Sequence, residues 1–247
     1  MSALKDRVAL VTGGAHGIGR AYALGLAREG AAVVVADVDD AAPVVEEIER
    51  AGGKAIATRV DVVDKSSTER MAGAAAEHFG RIDILVNNAA HFRHVKKSSF
   101  DEIDVEEWDK AFDVNVRGTW LCTRAVYPRM REQRYGRIIN VSSMTVFEGT
   151  PTFLHYVASK SAIIGLTRAL AVEVGQYSIA VNTVVPSYIP HDLGRPQSID
   201  EYSVGMRIFK RTQLPDDMVG IVVFLAGPGA DFITGQSFLV NGGARFQ

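Results

Sequence analysis

The chain is expected to fold as α/β, a single doubly wound domain in which a seven-stranded parallel sheet carries helices on both faces. Three observations predict this. Short apolar runs alternate with helix-patterned segments from one end to the other. The runs lack polar alternation, as strands covered on both faces do. The first run passes through a glycine-rich turn directly into a helix.

The elements follow in order. Residues 7–12 form the first strand, and Gly13-Gly14-Ala15-His16-Gly17-Ile18-Gly19 turns it into a helix over 17–29. Val33, Val34 and Val35 mark a strand over 32–36, which ends at Asp37. Asp39 or Asp40 then caps a helix over 41–51. Strands follow over 55–59, 82–86, 137–141, 180–185 and 237–240, each a short apolar run. Helices over 66–79, 106–134, 155–176 and 215–226 separate them. Residues 186–207 break the rhythm with Pro, Gly and Ser, which suits a mobile loop or lid over 187–207. No linker, low-complexity tract or repeat interrupts the chain, so residues 1–247 read as one domain.

Composition narrows the function. At 247 residues and 47% hydrophobic content there is ample material for a core. A net charge of −2 gives no electrostatic basis for binding nucleic acid or an anionic membrane. Cys122 is the single cysteine, which excludes an intramolecular disulfide and a thiolate zinc site. The N-terminal residues lack a signal-peptide apolar region and no apolar run is long enough to span a bilayer, so a cytoplasmic location is expected.

The glycine turn is a phosphate cradle by its chemistry. A helix N-terminus offers unpaired N–H groups and a positive dipole end, and glycines permit close backbone approach. A carboxylate at Asp37 can accept hydrogen bonds from ribose hydroxyls and repels a 2′-phosphate, so NAD is favoured over NADP. The same stretch holds Asp39 and Asp40 and no Lys or Arg; His16 could become cationic, but a neutral imidazole would not outweigh Asp37 near pH 7.

Tyr156 and Lys160 lie one helical turn apart, with Ser143 thirteen residues before Tyr156 at a strand end. A free phenol, with a pKa of about 10, is a weak base at neutral pH. Lowering it by two or three units takes roughly 3–4 kcal/mol. A cation at ~4 Å and an effective dielectric near 20 supplies about 4 kcal/mol before desolvation. Tyr156 can then exchange the hydroxyl proton of a substrate, with Ser143 holding the same oxygen. Histidines 91 and 94 lack the partners of a catalytic metal site, so no metal is expected. His91, Phe92, His155, Tyr188 and His191 are expected to edge a pocket for an apolar or aryl carbonyl compound.

In this order the motifs resemble the short-chain dehydrogenase/reductase family over nearly the whole chain. Thr12-Gly13 with Gly17-Ile18-Gly19 resembles its cofactor turn, and Asp61-Val62 its adenine-side contact. Asn87-Asn88-Ala89-Ala90 is similar to its Asn-Asn-Ala-Gly signature, and Asn115-Val116-Arg117-Gly118 to its Asn-Val-x-Gly. Ser143, Tyr156 and Lys160 fall on its catalytic positions, and Asn241-Gly242-Gly243 resembles its C-terminal ending. The resemblance implies a Rossmann fold and makes Asn88, Ala89 and Ala90 cofactor contacts. It implies that Lys160 also binds the nicotinamide ribose, and that Asn115 interrupts a helix and holds a proton-relaying water. Pro186-Ser187 replaces the family's Pro-Gly, and Pro190-His191 stands where a basic residue and a threonine often follow, so the carboxamide contact passes to the Ile189 backbone. A homotetramer formed through the apolar helix over 157–175 is also implied.

The expected function is hydride transfer between NAD and a secondary alcohol or ketone. Pro186-Ser187, His155-Tyr156 and Gly235-Gln236 are similar to 1-phenylethanol-type dehydrogenases. A 3-oxoacyl carrier-protein reductase is the nearest alternative, although the family's members of that kind usually want NADPH, which Asp37 opposes. A non-catalytic NAD-binding sensor or scaffold would have little need for Ser143, Tyr156 and Lys160 together.

Overall fold

Strand β1 (Val8–Thr12) is buried at every position, as its unbroken apolar sequence requires. It heads a sheet seen in a computed structural model that describes residues 3–190 and 197–246. The other strands are β2 (Ala32–Asp37), β3 (Lys54–Arg59), β4 (Ile84–Asn87), β5 (Gly136–Val141), β6 (Ile179–Pro186) and β7 (Ser237–Val240). All pair in parallel, in the order β3-β2-β1-β4-β5-β6-β7. The expected seven-stranded sheet is present. The chain order reverses between β1 and β4, so their C-terminal ends diverge and open a crevice. The edge strand β3 departs from the expectation of full burial: Lys54, Ala57 and Arg59 are exposed and Ile56 and Thr58 half-buried, so both of its faces are partly solvated.

Two apolar layers cover the sheet. Helices α1 (Gly17–Arg28) and α2 (Ala42–Arg50) pack on one face with Val33 and Val35. The opposite face, with Val34 and Leu85, receives α3 (Lys65–Phe79), which Asp64 caps by accepting from the Ser66 and Ser67 amides at 3.0 and 3.2 Å. Asp40, rather than Asp39, bonds the start of α2, accepting from the Ala42 amide at 3.0 Å.

The helix expected over 106–134 is divided, and the break contains Asn115, as the family resemblance implied. Helix α4 (Val105–Phe112) enters a π-helical turn, Asp113–Gly118, which leads into α5 (Thr119–Gln133). Gly118 sits where an added Cβ would come within 2.7 Å of the Val62 side chain, so only glycine lets the turn pass this close to β3's exit. A short α6 (Thr145–Glu148) follows β5, and α7 (Leu154–Val174) runs for 21 residues beside β6.

The loop expected over 187–207 is helical in its second half: α8 spans Gln197–Met206. Residues 191–196, including His191, lie outside the described residues. The last helical stretch begins as a 3-10 turn at Pro215–Met218 and becomes α9 (Val219–Ala226), which joins the α1 face. Among the described residues no helix is long and apolar enough to cross a membrane.

Candidate active site

The crevice at the β1/β4 divergence widens into a cleft of about 780 Å³, within the range of small-molecule sites. Its floor is the turn after β1. Gly13 takes φ +63°, and a Cβ there would lie 2.9 Å from the Ala89 Cα. At Gly19 a Cβ would lie 1.9 Å from the Gly13 carbonyl oxygen, so α1 can start only with glycine there. Gly17 and Ile18 face the cleft beside them. His16, at the N-cap of α1, gives no side-chain hydrogen bond to the helix start. The first-turn amides of α1 are thus left to face the cleft, where an anion can meet them.

Two buttresses hold this turn. The Asn88 amide nitrogen donates to the carbonyls of Thr12 and Gly13 at 3.1 and 2.9 Å, tying the end of β4 to the turn. Asn88 therefore braces the backbone, while Ala89 and Ala90 form the cleft wall next to it. Asp37, 8% exposed at the end of β2, accepts from the Ala15 and Asp39 amides at 2.9 and 3.1 Å. Its carboxylate still borders the cleft, as do Asp61 and Val62 after β3. His16 reaches Asp39 at 3.5 Å on the outer rim.

At the other end, β5 delivers Ser143 and α7 delivers Tyr156 and Lys160 to the same cleft. All three are buried, at 9%, 5% and 3% exposure. The Lys160 Nζ donates to the Val141 carbonyl at 2.9 Å and lies 5.9 Å from the centre of the Tyr156 ring. Burial pulls the Lys160 ammonium down to about 8 from 10.5. The adjacent Ser142 points elsewhere: its hydroxyl donates to the Lys160 carbonyl at 2.8 Å. Ser143 Oγ accepts from the Thr145 hydroxyl at 3.0 Å, which leaves its own proton to donate into the cleft.

Asn115 stands behind this surface at 1% exposure. Its Oδ1 accepts from the His91 amide at 2.8 Å, and its Nδ2 donates to Ser159 Oγ at 2.9 Å. Ser159 in turn donates to the Tyr156 carbonyl at 2.8 Å. The π-helical turn thus braces both the β4 loop and the helix that carries Tyr156.

His91, Phe92 and Tyr188 line the same cleft as Tyr156, as do Pro186 and Ile189. His155 does not. It is fully buried and faces away from the cleft toward Glu107 on α4, because on a helix the neighbour of an inward-facing residue turns about 100° aside. Thr145, Glu107 and Phe153 escaped the sequence reading. Phe153 packs on the Tyr156 ring at 4.9 Å and Phe92 at 5.3 Å, forming an apolar collar around the phenol. No spacing in the sequence announces Glu107 or Thr145, since their partners are 16 and 2 residues away in irregular segments.

A family model described as enoyl-(acyl carrier protein) reductase matches residues 13–245. The chain belongs to the short-chain dehydrogenase/reductase family. It is accordingly an oxidoreductase of that family. Among relatives of this family, the chain is 36% identical to (2S)-[(R)-hydroxy(phenyl)methyl]succinyl-CoA dehydrogenase subunit BbsD of Thauera aromatica, over 97% of both chains. It is 38% identical to a 3-oxoacyl-[acyl-carrier-protein] reductase of Synechocystis, over 98% of both. A putative short-chain alcohol dehydrogenase of Sinorhizobium meliloti superposes with a TM-score of 0.92 at 34% identity, covering 98% of this chain and 97% of that one.

Proposed function

We propose that this protein is an NAD-dependent oxidoreductase that interconverts a secondary alcohol and its ketone. The reading rests on one convergence: a buried phenol, ammonium and hydroxyl share a single cleft with a glycine cradle and the Asp37 carboxylate. A dinucleotide suits the residues present, because Gly13 and Gly19 leave a space that any Cβ would fill, beside uncapped helix amides. Gly13, Gly17, Ile18 and Gly19 would hold the pyrophosphate, Asp37 the adenosine ribose, and Asp61 and Val62 the adenine side. When bound, the nicotinamide supplies the hydride acceptor for the carbinol carbon.

This chain's own residues handle the proton. Tyr156 removes it from the substrate hydroxyl, and returns it to the carbonyl oxygen in the reverse direction. The Lys160 ammonium, 5.9 Å from the centre of the Tyr156 ring, favours the phenolate over the neutral phenol. Ser143 donates to the same substrate oxygen and fixes its direction. The Phe92 and Phe153 collar keeps water from the phenol and suits an apolar or aryl group. In support, the Thauera relative's printed substrate carries a hydroxy(phenyl)methyl group, a benzylic secondary alcohol. On this reading residues 1–247 act as a single dinucleotide-binding and catalytic domain.

The test is absorbance at the reduced-nicotinamide band across a panel of alcohols with NAD⁺ and NADP⁺. Oxidation of an aryl secondary alcohol with NAD⁺ is the expected result; no turnover with either cofactor would refute the reading. A second reading, reduction of a 3-oxoacyl carrier-protein thioester, is favoured by the Synechocystis relative's name. The same panel, extended to 3-oxoacyl thioesters, separates the two. Asp37→Ser should raise the NADP⁺/NAD⁺ ratio of kcat/KM by roughly 10- to 100-fold, since a carboxylate beside a 2′-phosphate costs a few kcal/mol. An unchanged ratio would remove Asp37 as the selector.

We further propose a homotetramer. Helix α7 buries one stripe against the sheet yet leaves Leu154 and Val172 exposed, at 45% and 85%. A helix apolar beyond one stripe requires a second partner. Sedimentation equilibrium should give four chains per particle; a monomer at all concentrations contradicts it.

A further inference from the structure

Behind Tyr156 lies a group of ionisable side chains that the proton transfer does not use. Glu107 on α4 sits between two imidazoles: His91 Nε2 lies 2.8 Å from its Oε1 and His155 Nε2 lies 3.6 Å from the same oxygen. The Lys96 amide donates to that oxygen at 3.3 Å. These are the charged and titratable groups that face Glu107, His91 from the loop after β4 and His155 from α7. Burial raises the Glu107 carboxyl, but the hydrogen bonds from His91 and the Lys96 amide lead the effects that lower it, and it titrates below its ordinary value. Burial holds His155 below its ordinary value, so that ring is neutral at neutral pH.

An ionised carboxylate only accepts, so the nitrogen it meets at 2.8 Å must carry hydrogen. In a neutral ring this fixes the Nε2–H tautomer of His91 and leaves Nδ1 as an acceptor. Among the described residues Nδ1 has no hydrogen-bond partner, and it is not sealed from solvent. His91 itself lines the cleft, next to the Phe92 ring that touches Tyr156. Its main chain is pinned as well, by the 2.8 Å bond from its amide to Asn115. The result is an imidazole fixed in the cleft wall beside the apolar collar, whose neutral form offers Nδ1 as an acceptor. A hydroxyl on a ligand can replace solvent at this acceptor whereas an apolar group cannot, so a ligand that supplies the donor is selected.

We propose that Glu107 and His91 form a substrate-recognition pair, in which the carboxylate holds the imidazole so that Nδ1 accepts a hydrogen bond from a second hydroxyl on the substrate. The substrate class is then a secondary alcohol bearing a further hydroxyl, for which an aryl vicinal diol is the probe. Glu107 is a positioning residue that acts through His91. This inference rests on the oxidoreductase reading above.

The experiment compares three alcohols of one aryl skeleton: the monohydric alcohol, the vicinal diol and the α-hydroxy carboxylate. For each, kcat/KM with NAD⁺ is measured in the wild type and in Glu107→Gln. The wild type should prefer the diol over the monohydric alcohol by at least about tenfold, the worth of one well-made hydrogen bond. Glu107→Gln should bring that ratio close to one. Equal rates for diol and monohydric alcohol, a ratio unchanged by Glu107→Gln, or a preference for the carboxylate would each overturn the proposal.

A second measurement does not depend on turnover. Nitrogen-15 resonances of His91, assigned by their loss in His91→Phe, should report the Nε2–H tautomer in the wild type and a mixture in Glu107→Gln. Titration with the diol should shift Nδ1. An Nδ1–H tautomer, or no shift on adding diol, overturns the pair. Failure of every alcohol with both cofactors refutes the oxidoreductase reading alone, and the resonances still decide the pair.

Discussion

Tyr156→Phe should lower turnover by about three orders of magnitude while changing dinucleotide affinity by less than about threefold, since a positioned acid–base group contributes 10²- to 10⁴-fold. The substitution removes one oxygen and little else. The ring contacts to Phe153 and Phe92 at 4.9 and 5.3 Å remain available to phenylalanine. The Tyr156 carbonyl keeps its bond from Ser159, so α7 is not disturbed. The phosphate cradle lies on different elements, at the turn between β1 and α1. Steady-state absorbance and fluorescence titration with NADH separate the two quantities. Residual turnover within tenfold of wild type would show that the proton leaves by another route.

Lys160→Met should abolish most turnover and yet stabilise the fold at neutral pH. Burial lowers the lysine from 10.5 to about 8, a shift of about 2.5 units, so the folded state disfavours the charged form by roughly 3 kcal/mol. The sign follows from proton counting. Below pH 8 both folded and unfolded chains hold the proton and the penalty is present in full. Between about 8 and 10.5 the unfolded chain holds more protons, so wild-type stability rises with pH through that window. Methionine fills similar volume without the charge but gives up the bond to the Val141 carbonyl, about 1 kcal/mol. A net gain of roughly 1–2 kcal/mol at pH 7, shrinking toward pH 10, is expected from denaturant midpoints. Turnover should fall at least about 100-fold because the phenol loses its stabilising charge. A variant less stable than wild type at pH 7 would mean that Lys160 enters the folded protein without a desolvation cost.

Much of the fold was legible because strand burial leaves a local mark. The apolar runs around Leu10, Val34 and Ile138 have no polar alternation, and all three became central strands. The β3 edge was harder, since Lys54 and Arg59 point to opposite faces and their exposure follows from the strand's place at the end of the sheet. The division of the helix over 106–134 was legible at Asn115 only through the family resemblance, since asparagine and glycine also occur inside ordinary helices. Helix α8 fell within a stretch whose Pro, Gly and Ser content reads as loop. Its amphipathic pattern is too short to outweigh that composition.

In the cleft, the residues read from motifs came together where spacing was tied to one element. Tyr156 and Lys160 share a helix face at i and i+4, and the glycines share one turn. His155 shows the opposite case. One position from Tyr156, it faces Glu107 rather than the substrate, a distinction that helical rotation makes and adjacency hides.

The order of residues by itself determined the strand–helix alternation, the phosphate turn and the phenol–ammonium pair, because each is written within a few consecutive positions. Only the tertiary structure decided that Glu107 meets His91 across 16 residues, that Thr145 orients Ser143, and that Lys160 is deep enough to lose much of its affinity for a proton. Those outcomes depend on distance and dielectric, which arise only when separate elements pack and exclude water.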